Sequence, residues 1–294
     1  MPDEERELTT PQALHHYTRE KQGTALINIG VGAEETDIAY AARMLFHTMI
    51  PHTAKEAREY VKRNGRLEVY IQAGARTGLP YGVYPRLVFI WIVTEAYRTK
   101  SRVLVLGQSL SDFMRQLGLI PTGGRWGTIT QLRDQMRRLL TARISAFVDA
   151  EGAEAMQSMH VADNYVLWWD PKSPDQAAIW ESTVELGEKF FEAIIKKPFP
   201  VDMRIIRALK RSPLGLDIYT WLTYRVSYMK EPTVISWKQL HAQFGADYHS
   251  VDEFARKARR ELRKIKAAWP ELQYETPRGR LRVIPSRPSV ARIS

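Results

Sequence analysis

Residues 110–140 read LSDFMRQLGLIPTGGRWGTITQLRDQMRRLL, and this stretch decides the fold. It divides at PTGG into a short helix and a long arginine-rich helix, because proline and glycine interrupt helices. Ser109 and Ser111 are both candidate N-caps of the short helix. The long helix has one apolar face at helical spacing, which comprises Ile129, Leu132, Met136, Leu139 and Leu140. A short helix, a turn and a long amphipathic helix together indicate a helix-turn-helix.

The flanking sequence extends this motif into a larger unit, which occurs twice. Each copy has an apolar helix, a short β-branched run, a short helix, a turn, a long basic helix and a hairpin-like tail. The first copy comprises Pro85–Thr99, Arg102–Leu106, Leu110–Leu117, Pro121–Gly124, Trp126–Ala142 and Ile144–Asp170. The second comprises Leu214–Met229, Thr233–Ile235, Trp237–Phe244, Gly245–Tyr248, Ser250–Ala267 and Leu272–Ile284. We therefore predict an α+β fold of two tandem winged helix-turn-helix domains, mainly helical with small β-wings.

The two copies divide the chain into four segments. Residues 1–78 form an N-terminal extension, and residues 79–199 form the first winged-helix domain, which serves DNA contact, dimerisation or both. Residues 200–285 form the second, basic winged-helix domain, and residues 286–294 a flexible tail rich in proline and serine.

Local patterns add detail at the edges of these segments. In the extension, Glu34–Ile50 and Ala54–Asn64 have the spacing of helices, whereas Leu67–Ile71 alternates like a strand. Between the two copies, Gly187–Ile195 is typical of a helix. The sequence KKPFP at Lys196–Pro200 then indicates a short linker between the domains.

The excess positive charge lies entirely in the second domain and the tail. The chain has 43 Lys and Arg against 33 Asp and Glu, a formal net charge of +10. Residues 200–294 hold 19 of these basic residues and 9 of the acidic ones, so residues 1–199 are balanced at 24 of each. A basic domain beside a neutral one indicates a polyanionic partner, because each neutralised phosphate releases condensed counterions.

Several classes of protein are excluded by the same composition. The absence of cysteine excludes disulfides, cysteine-ligated zinc and thiol catalysis. No apolar run approaches the roughly 20 residues that span a bilayer, and the start MPDEERELTT is acidic where a signal peptide is basic. We find no nucleophile motif, nucleotide-binding fingerprint or metal triad. The expectation is a cytoplasmic protein that is not an enzyme and needs neither cofactor nor metal.

In the first copy, the candidate DNA contacts lie outside the apolar face of the long helix and in the turn before it. They are Arg125, Trp126, Thr128, Thr130, Gln131, Arg133, Arg137 and Arg138. A recognition helix contacts bases from its first turns, while later basic residues reach phosphates. Gln131 suits adenine, and Arg125 or Arg133 suits guanine. The alternative is an amphipathic helix whose outer face meets only solvent.

In the second copy the signal is stronger, because basic residues repeat at helical spacing opposite the apolar face. The candidates on the helix are His249, Ser250, Glu253, Arg256, Lys257, Arg260, Arg263 and Lys264. Arg278, Arg280 and Arg282 alternate after Pro277, which predicts three guanidinium groups along one side of a wing strand. Such a strand can contact phosphates or enter the minor groove.

Residues 79–140 resemble the plasmid-encoded RepA replication initiators, most densely at FMRQLGLIPTGGRWGTITQLRDQMRRL. STVELGEKFFEAI, residues 182–194, resembles the segment that joins two winged helices in such initiators. The resemblance implies a bacterial, plasmid-associated protein that binds directly repeated origin sites, or iterons, in double-stranded DNA. It also implies origin distortion and opening, a homodimer in equilibrium with the monomer, and contacts with the host replicative helicase and initiator.

Two other functions compete with that of an initiator. A winged-helix transcriptional regulator would need a ligand pocket, for which residues 1–80 offer little sequence. A relaxase or nuclease would need a histidine cluster, or a nucleophilic tyrosine, beside metal-binding acids. Stabilisation by duplex DNA, compared with stabilisation by small molecules or divalent metals, distinguishes the three.

Overall fold

The structure is a computed structural model that describes residues 28–29, 38–42, 50–64, 67–150, 153–167, 173–176, 182–245, 247–290 and 292–293. Its helices are α1 Tyr84–Thr99, α2 Leu110–Gln116, α3 Thr128–Leu140, α4 Glu188–Ile195, α5 Met203–Leu209, α6 Pro213–Tyr228, α7 Trp237–Phe244 and α8 Val251–Ala268. Its strands are β1 Asn28–Ile29, β2 Ile38–Ala41, β3 Glu59–Asn64, β4 Leu67–Gln72, β5 Val103–Val105, β6 Arg143–Ala150, β7 Ala153–His160, β8 Ala162–Val166, β9 Thr183–Leu186, β10 Phe199–Asp202, β11 Thr233–Ser236, β12 Gln273–Glu275, β13 Arg280–Ile284 and β14 Arg292–Ile293. The fold is mixed α+β.

Both repeated units contain the helices that the sequence predicts, with bounds within a few residues. The first helix of each unit, α1 or α6, is buried on nearly all sides and forms its core. Side-chain caps set the starts of the later helices: Ser109 accepts from the Asp112 amide, and Ser236 forms a capping box with Gln239. The apolar faces of α3 and α8 pack inward as predicted.

A three-stranded antiparallel sheet recurs in both units with equivalent strand order. In the second unit the order is β11-β13-β12, so the strand after the first helix pairs with the last strand of the hairpin. In the first unit the order is β5-β9-β8. The strands equivalent to the second unit's hairpin are therefore β8 and β9.

The hairpin-like tail predicted at Ile144–Asp170 contains the hairpin β6–β7, but this hairpin is not the equivalent of β12–β13 in the second unit. Within Ile144–Asp170, the hairpin β6–β7 does not pair with β5 but extends a separate four-stranded sheet of order β3-β4-β6-β7. The strands β6 and β7 pair with each other over eight residues. Strand β6 also pairs with β4 of the N-terminal hairpin β3–β4. The long-range partner β9 follows only at residue 183.

Two of the helices predicted in the N-terminal extension are wrong. Ile38–Ala41 is a strand, because a short apolar run that is buried on both faces has no period that separates strand from helix. Glu59–Asn64 is an edge strand whose residues alternate between half-buried and exposed, and its polar composition concealed that period. The strand predicted at Leu67–Ile71 is confirmed. Residues 34–37 and 43–49 of the predicted helix Glu34–Ile50 lie outside the described residues.

The predicted linker Lys196–Pro200 is wrong at its end, because Phe199 and Pro200 belong to a buried strand, whereas Lys196 and Lys197 are exposed and lie outside it. All four residues of β10 are buried and pair antiparallel with β2, from Phe199 opposite Ala41 to Asp202 opposite Ile38. Pro200 is tolerated because this sheet has only two strands. Asp202 then caps α5 through the Arg204 amide at 2.8 Å. The two units are thus joined by ordered structure.

The tail is packed where the structure describes it, which corrects the prediction of a flexible segment. Val290 is buried, and Trp269 Nε1 donates to the Arg287 carbonyl at 3.0 Å. Ser289 Oγ lies 3.1 Å from the buried Tyr219 hydroxyl. Beyond them, β14 pairs with β1 from the other end of the chain. The tail thus covers part of the core of the second unit, where it contacts Tyr219 of α6 and Trp269, the residue after α8.

A buried ion pair ties the two units together. The Arg86 guanidinium in α1 donates to both carboxylate oxygens of Asp217 in α6, with Nε–Oδ1 and Nη2–Oδ2 distances of 2.7 Å. His52 Nε2 lies 2.8 Å from Asp217 Oδ2, and the His52 amide donates to Asp247, which also pairs with Lys55. Burial alone would raise the pKa of Asp217, but Arg86 and His52 hold it below its usual value.

Candidate nucleic-acid interface

The long helix α8 presents a basic face opposite its buried stripe. Phe254, Ala258, Leu262 and Ile265 point into the core of the second unit. Arg256, Arg260 and Arg263 are exposed and lie at i, i+4 and i+7, which aligns them on one side over about 10 Å of helix. Arg256 and Arg263 make no ion pair within the part of the chain that the structure describes. Their charges are therefore available to a polyanion.

The other basic side chains predicted on α8 have acidic or aromatic partners. Lys257 lies 3.6 Å from Glu253 and 5.6 Å from the Tyr248 ring centre. Arg260 and Lys264 pair with the buried carboxylate of Glu261 at 3.2 and 3.0 Å. An exposed arginine or lysine that neutralises a carboxylate offers less net charge to DNA than an unpaired one.

The first turn of α8 uses two of the predicted DNA contacts as caps. Ser250 accepts from the Glu253 amide at 3.1 Å, and Glu253 Oε2 accepts from the His249 amide at 3.3 Å. These contacts account for Ser250 and Glu253 as helix-starting residues. His249 itself is exposed at the entrance to the helix. Its ring stays a candidate for DNA contact.

The hairpin of the second unit carries its arginines differently from the prediction. Arg280 and Arg282 lie in β13 on the face opposite the buried Leu281 and Val283, as the alternation predicts. Arg278 precedes the strand and lies in the turn, where Gly279 has a φ of 75° that favours glycine. The prediction of three arginines along one strand is therefore wrong for Arg278, which the turn places at the hairpin tip.

One basic residue of this surface escaped the sequence reasoning. Arg259 stacks its guanidinium 4.9 Å from the ring centre of Trp237 at the start of α7. It lies at i+3 from Arg256, beside the basic stripe. The signal is a cation–π pair between two consecutive helices, which the periodicity of a single helix does not reveal.

In the first unit, a hydrogen-bonded loop precedes α3. We call residues 121–127, between Ile120 and Thr128, the Trp126 loop. The amide of Thr122 donates to Thr128 Oγ1 at 2.9 Å, and the amide of Thr128 donates to Thr122 Oγ1 at 3.0 Å. Thr128 Oγ1 also donates to the Ile120 carbonyl at 2.7 Å. Thr128, predicted as a DNA contact, thus helps to fix the base of the loop.

Two further candidates on α3 also bond to this loop. Thr130 Oγ1 donates to the Gly124 carbonyl at 2.9 Å, and Gln131 Nε2 donates to the Trp126 carbonyl at 3.0 Å. The bond from Gln131 uses one of the two hydrogens on Nε2 and holds its amide against its own loop. The side chains that project outward from the loop are Arg125 and Trp126, both exposed.

The arginines later on α3 differ in their surroundings. Arg138 pairs with Asp134 at 2.8 Å, donates to the Leu79 carbonyl at 3.3 Å and lies 5.5 Å from the Tyr81 ring centre. It therefore anchors the segment that leads into α1. Arg133 is half-buried, whereas Arg137 is exposed near the C-terminal end of the helix.

Metal-ligating clusters and membrane-spanning helices are both missing from the part of the chain that the structure describes. Among the described residues, no group of three or more His, Asp and Glu side chains is arranged to hold a metal ion. None of the helices in the described ranges is both long and apolar enough to cross a membrane. The arrangement as a whole offers exposed cations on two helices and one hairpin.

Comparisons with known proteins give a family and a fold. The model of a family described as plasmid encoded RepA protein matches residues 79–239. A crystal structure of selenomethionine derivatives of domains 2 and 3 of RctB is similar with a TM-score of 0.54 and 12% identity, covering 82% of this chain and 94% of that one. Another crystal structure of the RctB domains 2-3 has a TM-score of 0.52 and 12% identity, covering 82% and 96%. At such identity the similarity concerns the fold alone. A search of curated proteins found no match.

Proposed function

Because the chain belongs to the family of plasmid encoded RepA proteins, we propose that it initiates plasmid DNA replication. In this proposal it binds the repeated sites of an origin sequence-specifically, distorts and opens the origin, and helps to recruit the host replication machinery. It does so by binding alone, without catalysis, in the bacterial cytoplasm. The two repeated units act as tandem winged helices, with α3 and α8 as their recognition helices.

The basic surface of the second unit carries this proposal. Arg256, Arg260 and Arg263 line one side of α8, and Arg280 and Arg282 share one face of the hairpin strand β13. A helix in the major groove with a basic hairpin beside it contacts bases and phosphates at once. The net charge of residues 200–294 supplies the sequence-independent part of the affinity.

The first unit contributes differently, because it lies within residues 1–199, whose net charge is zero. We propose that it adds a smaller set of DNA contacts and also serves association between copies of the chain and with host replication proteins. A homodimer in equilibrium with a DNA-binding monomer follows from family membership. The buried Arg86–Asp217 pair supports simultaneous binding, because it favours one spatial relation between the two units.

Footprinting on DNA that flanks the gene tests the proposal. We expect the full-length chain to protect direct repeats, each over about two helical turns if both units bind. Replacing Arg256 and Arg263 with alanine should weaken binding and reduce the slope of log affinity against log salt by about 0.9 for each lost phosphate contact. The matched control is Lys189→Ala, an exposed basic residue of α4 in the neutral half.

Absence of protection anywhere in that DNA would contradict the proposal. Equal affinities for the Arg256/Arg263 double variant and the Lys189→Ala control would contradict the assignment of α8. If the double variant loses affinity equally for all DNA sequences, with no relaxed specificity at any base pair, Arg256 and Arg263 contact phosphates and not bases.

One feature favours the alternative of a ligand-sensing regulator. A cleft of about 440 Å³ lies between α1, β2 and α5, with an apolar floor that includes Leu87, Ile90 and Ile206 and with Arg98 and Arg207 in its lining. Thermal unfolding in the presence of duplex DNA, compared with a panel of small apolar acids, separates the two functions. The initiator proposal predicts stabilisation by DNA alone.

A further inference from the structure

Trp126 is unusual in its exposure among the tryptophans that the structure describes. Its side chain is 78% exposed, whereas Trp91, Trp221, Trp237 and Trp269 are all buried. Exposing an indole to water forgoes a large hydrophobic gain, since such a side chain can bury about 150–250 Å². The neighbouring Ile120 is also 71% exposed. A large apolar surface in this position therefore indicates contact with a partner.

The Trp126 loop holds this side chain on a well-defined backbone. Reciprocal bonds between Thr122 and Thr128 close its base, and Thr130 and Gln131 donate to carbonyls within it. The Gly127 amide further donates to the Gly124 carbonyl at 3.1 Å. A loop fixed by so many bonds presents an aromatic group with little entropy left to lose on binding.

The charges around the indole identify the chemistry of the partner. The Arg125 guanidinium lies 5.1 Å from the Trp126 ring centre. On α3, the helix that follows the loop, Arg137 is exposed and the carboxylate of Asp134 is neutralised by Arg138 at 2.8 Å. An aromatic face beside a guanidinium suits a stacked base and its phosphate, which nucleic acid supplies together.

The second unit shows a contrasting arrangement at the equivalent turn. There, Asp247 bonds to the His52 amide and pairs with Lys55, and the half-buried Tyr248 lies against Phe254. That turn packs against the N-terminal extension at His52 and Lys55. The Trp126 loop thus has a free surface that its counterpart lacks.

We propose that Trp126 inserts into the target duplex and stacks on a base that becomes unstacked when the first unit docks. Arg125 neutralises the adjacent phosphate. The first unit is then the one that deforms the DNA, although the second supplies most of the charge. An apolar wedge at a base step is a known means of kinking a duplex, and flexible pyrimidine–purine steps are deformed most readily. This inference rests on the proposed function in that it requires a bound duplex.

The test uses the full-length chain on a repeat that footprinting has located. Permanganate oxidation detects unstacked thymines, and we expect wild-type protein to make at least one thymine reactive in the half of the repeat nearest the first unit. Trp126→Ala should abolish that reactivity and weaken binding roughly 10-fold. Its salt slope should be unchanged, because no phosphate contact is lost, whereas Arg125→Ala should lower the slope by about 0.9.

Trp126→Phe and Ile120→Ala are the matched variants. Phenylalanine retains a stacking face and should restore part of the thymine reactivity, and alanine at the exposed position 120 should leave it unchanged. Because Trp126 is largely exposed, circular dichroism and the thermal midpoint should be those of the wild type in every variant. These readouts separate a DNA contact from a structural role.

The results of this test distinguish the inference from the function on which it rests. If the Trp126→Ala variant makes the same thymine reactive as the wild-type chain and binds with the same affinity, Trp126 does not insert into the duplex. The initiator proposal would still stand. Wild-type binding that produces no reactive thymine, with Trp126→Ala instead shifting the monomer–dimer equilibrium, also overturns it and assigns the indole to a protein interface. Failure of the wild-type chain to protect any repeat overturns the proposed function itself.

Discussion

Removing the Asp217 carboxylate should destabilise the whole molecule, because its partner Arg86 is only 1% exposed. Asp217→Ala deletes the two hydrogen bonds that the Arg86 guanidinium donates to Asp217, and it also deletes the contact with His52. Breaking a buried ion pair by removing one partner costs about 3–5 kcal/mol, since a charge is left uncompensated. The guanidinium keeps bonds to the Gly82 and Ile50 carbonyls, which places the expected loss near the lower limit, at about 3 kcal/mol.

A double-mutant cycle isolates the pair from the general cost of mutation. Arg86→Met removes the charge and retains an unbranched side chain, so the double variant should be less destabilised than the sum of the single variants by about 2 kcal/mol. The control is Arg98→Ala, which removes an exposed ion pair with Glu95 and should cost less than about 1 kcal/mol.

Urea unfolding of the full-length variants, followed by circular dichroism and by tryptophan fluorescence, measures these changes. Coincident transitions would show that the two units unfold together, as the buried pair and the β2–β10 sheet require. If Asp217→Ala lowers the free energy of unfolding by no more than Arg98→Ala does, the buried pair does not stabilise the fold as expected. Additive effects of Asp217→Ala and Arg86→Met would refute the direct coupling.

Three further predictions concern contacts described above. The pKa values of Asp217 and Asp247 are held low in the folded chain, so their stabilisation is complete above about pH 4 and is lost as the pH falls through those folded values. Asp217→Asn should flatten this acid dependence in urea titrations between about pH 2 and pH 5. Gly127→Ala would place a Cβ 2.2 Å from the Thr122 carbonyl oxygen, so it should lower stability by about 1–3 kcal/mol and, in fluorescence anisotropy, weaken DNA binding; a wild-type thermal midpoint would contradict the close approach. Inserting about five base pairs between the halves of a repeat rotates them by half a turn and should abolish tight binding, and unchanged affinity would mean that only one unit holds DNA.

The helices of the repeated units were predictable because their residues carry two independent signals. In α3 and α8 an apolar stripe at helical spacing agrees with a turn or cap at the start, so the bounds are close to those observed. The strands β2 and β3 carry neither signal, since one is buried on both faces and the other is a polar edge. Pattern analysis assigned both of them to helices.

Pairing between distant segments was beyond the reach of local patterns. The partner of β5 is β9, and nothing in the intervening sequence distinguishes it from the nearer strands of β6–β7. Lys196–Pro200 is a second example. Its prolines indicate a linker, whereas the pairing of Phe199 and Pro200 with residues 38–41 places its end in a strand. Long-range register depends on which faces must be buried, and that is decided only in the assembled fold.

The candidate site was predictable in outline and less so in detail. Charge and periodicity identify the outer face of α8, including Arg256 and Arg263. They do not separate a cation that is free for DNA from one that holds a buried carboxylate, as Lys264 does with Glu261. Nor do they show that Gln131 bonds within its own loop while Trp126 projects from it. The predicted DNA contacts themselves stay predictions.

The β2–β10 sheet has a consequence for how this protein is made on the ribosome. Ile38 pairs with Asp202, so the first strand must wait for a partner that is synthesised 164 residues later. At about 5–20 residues per second this delay is roughly 10–30 s. Throughout that interval an apolar strand has no ladder partner while the first unit emerges and packs. We therefore expect translation speed and holdase chaperones to affect the yield of native protein. They should affect the formation of the helices of the first unit less.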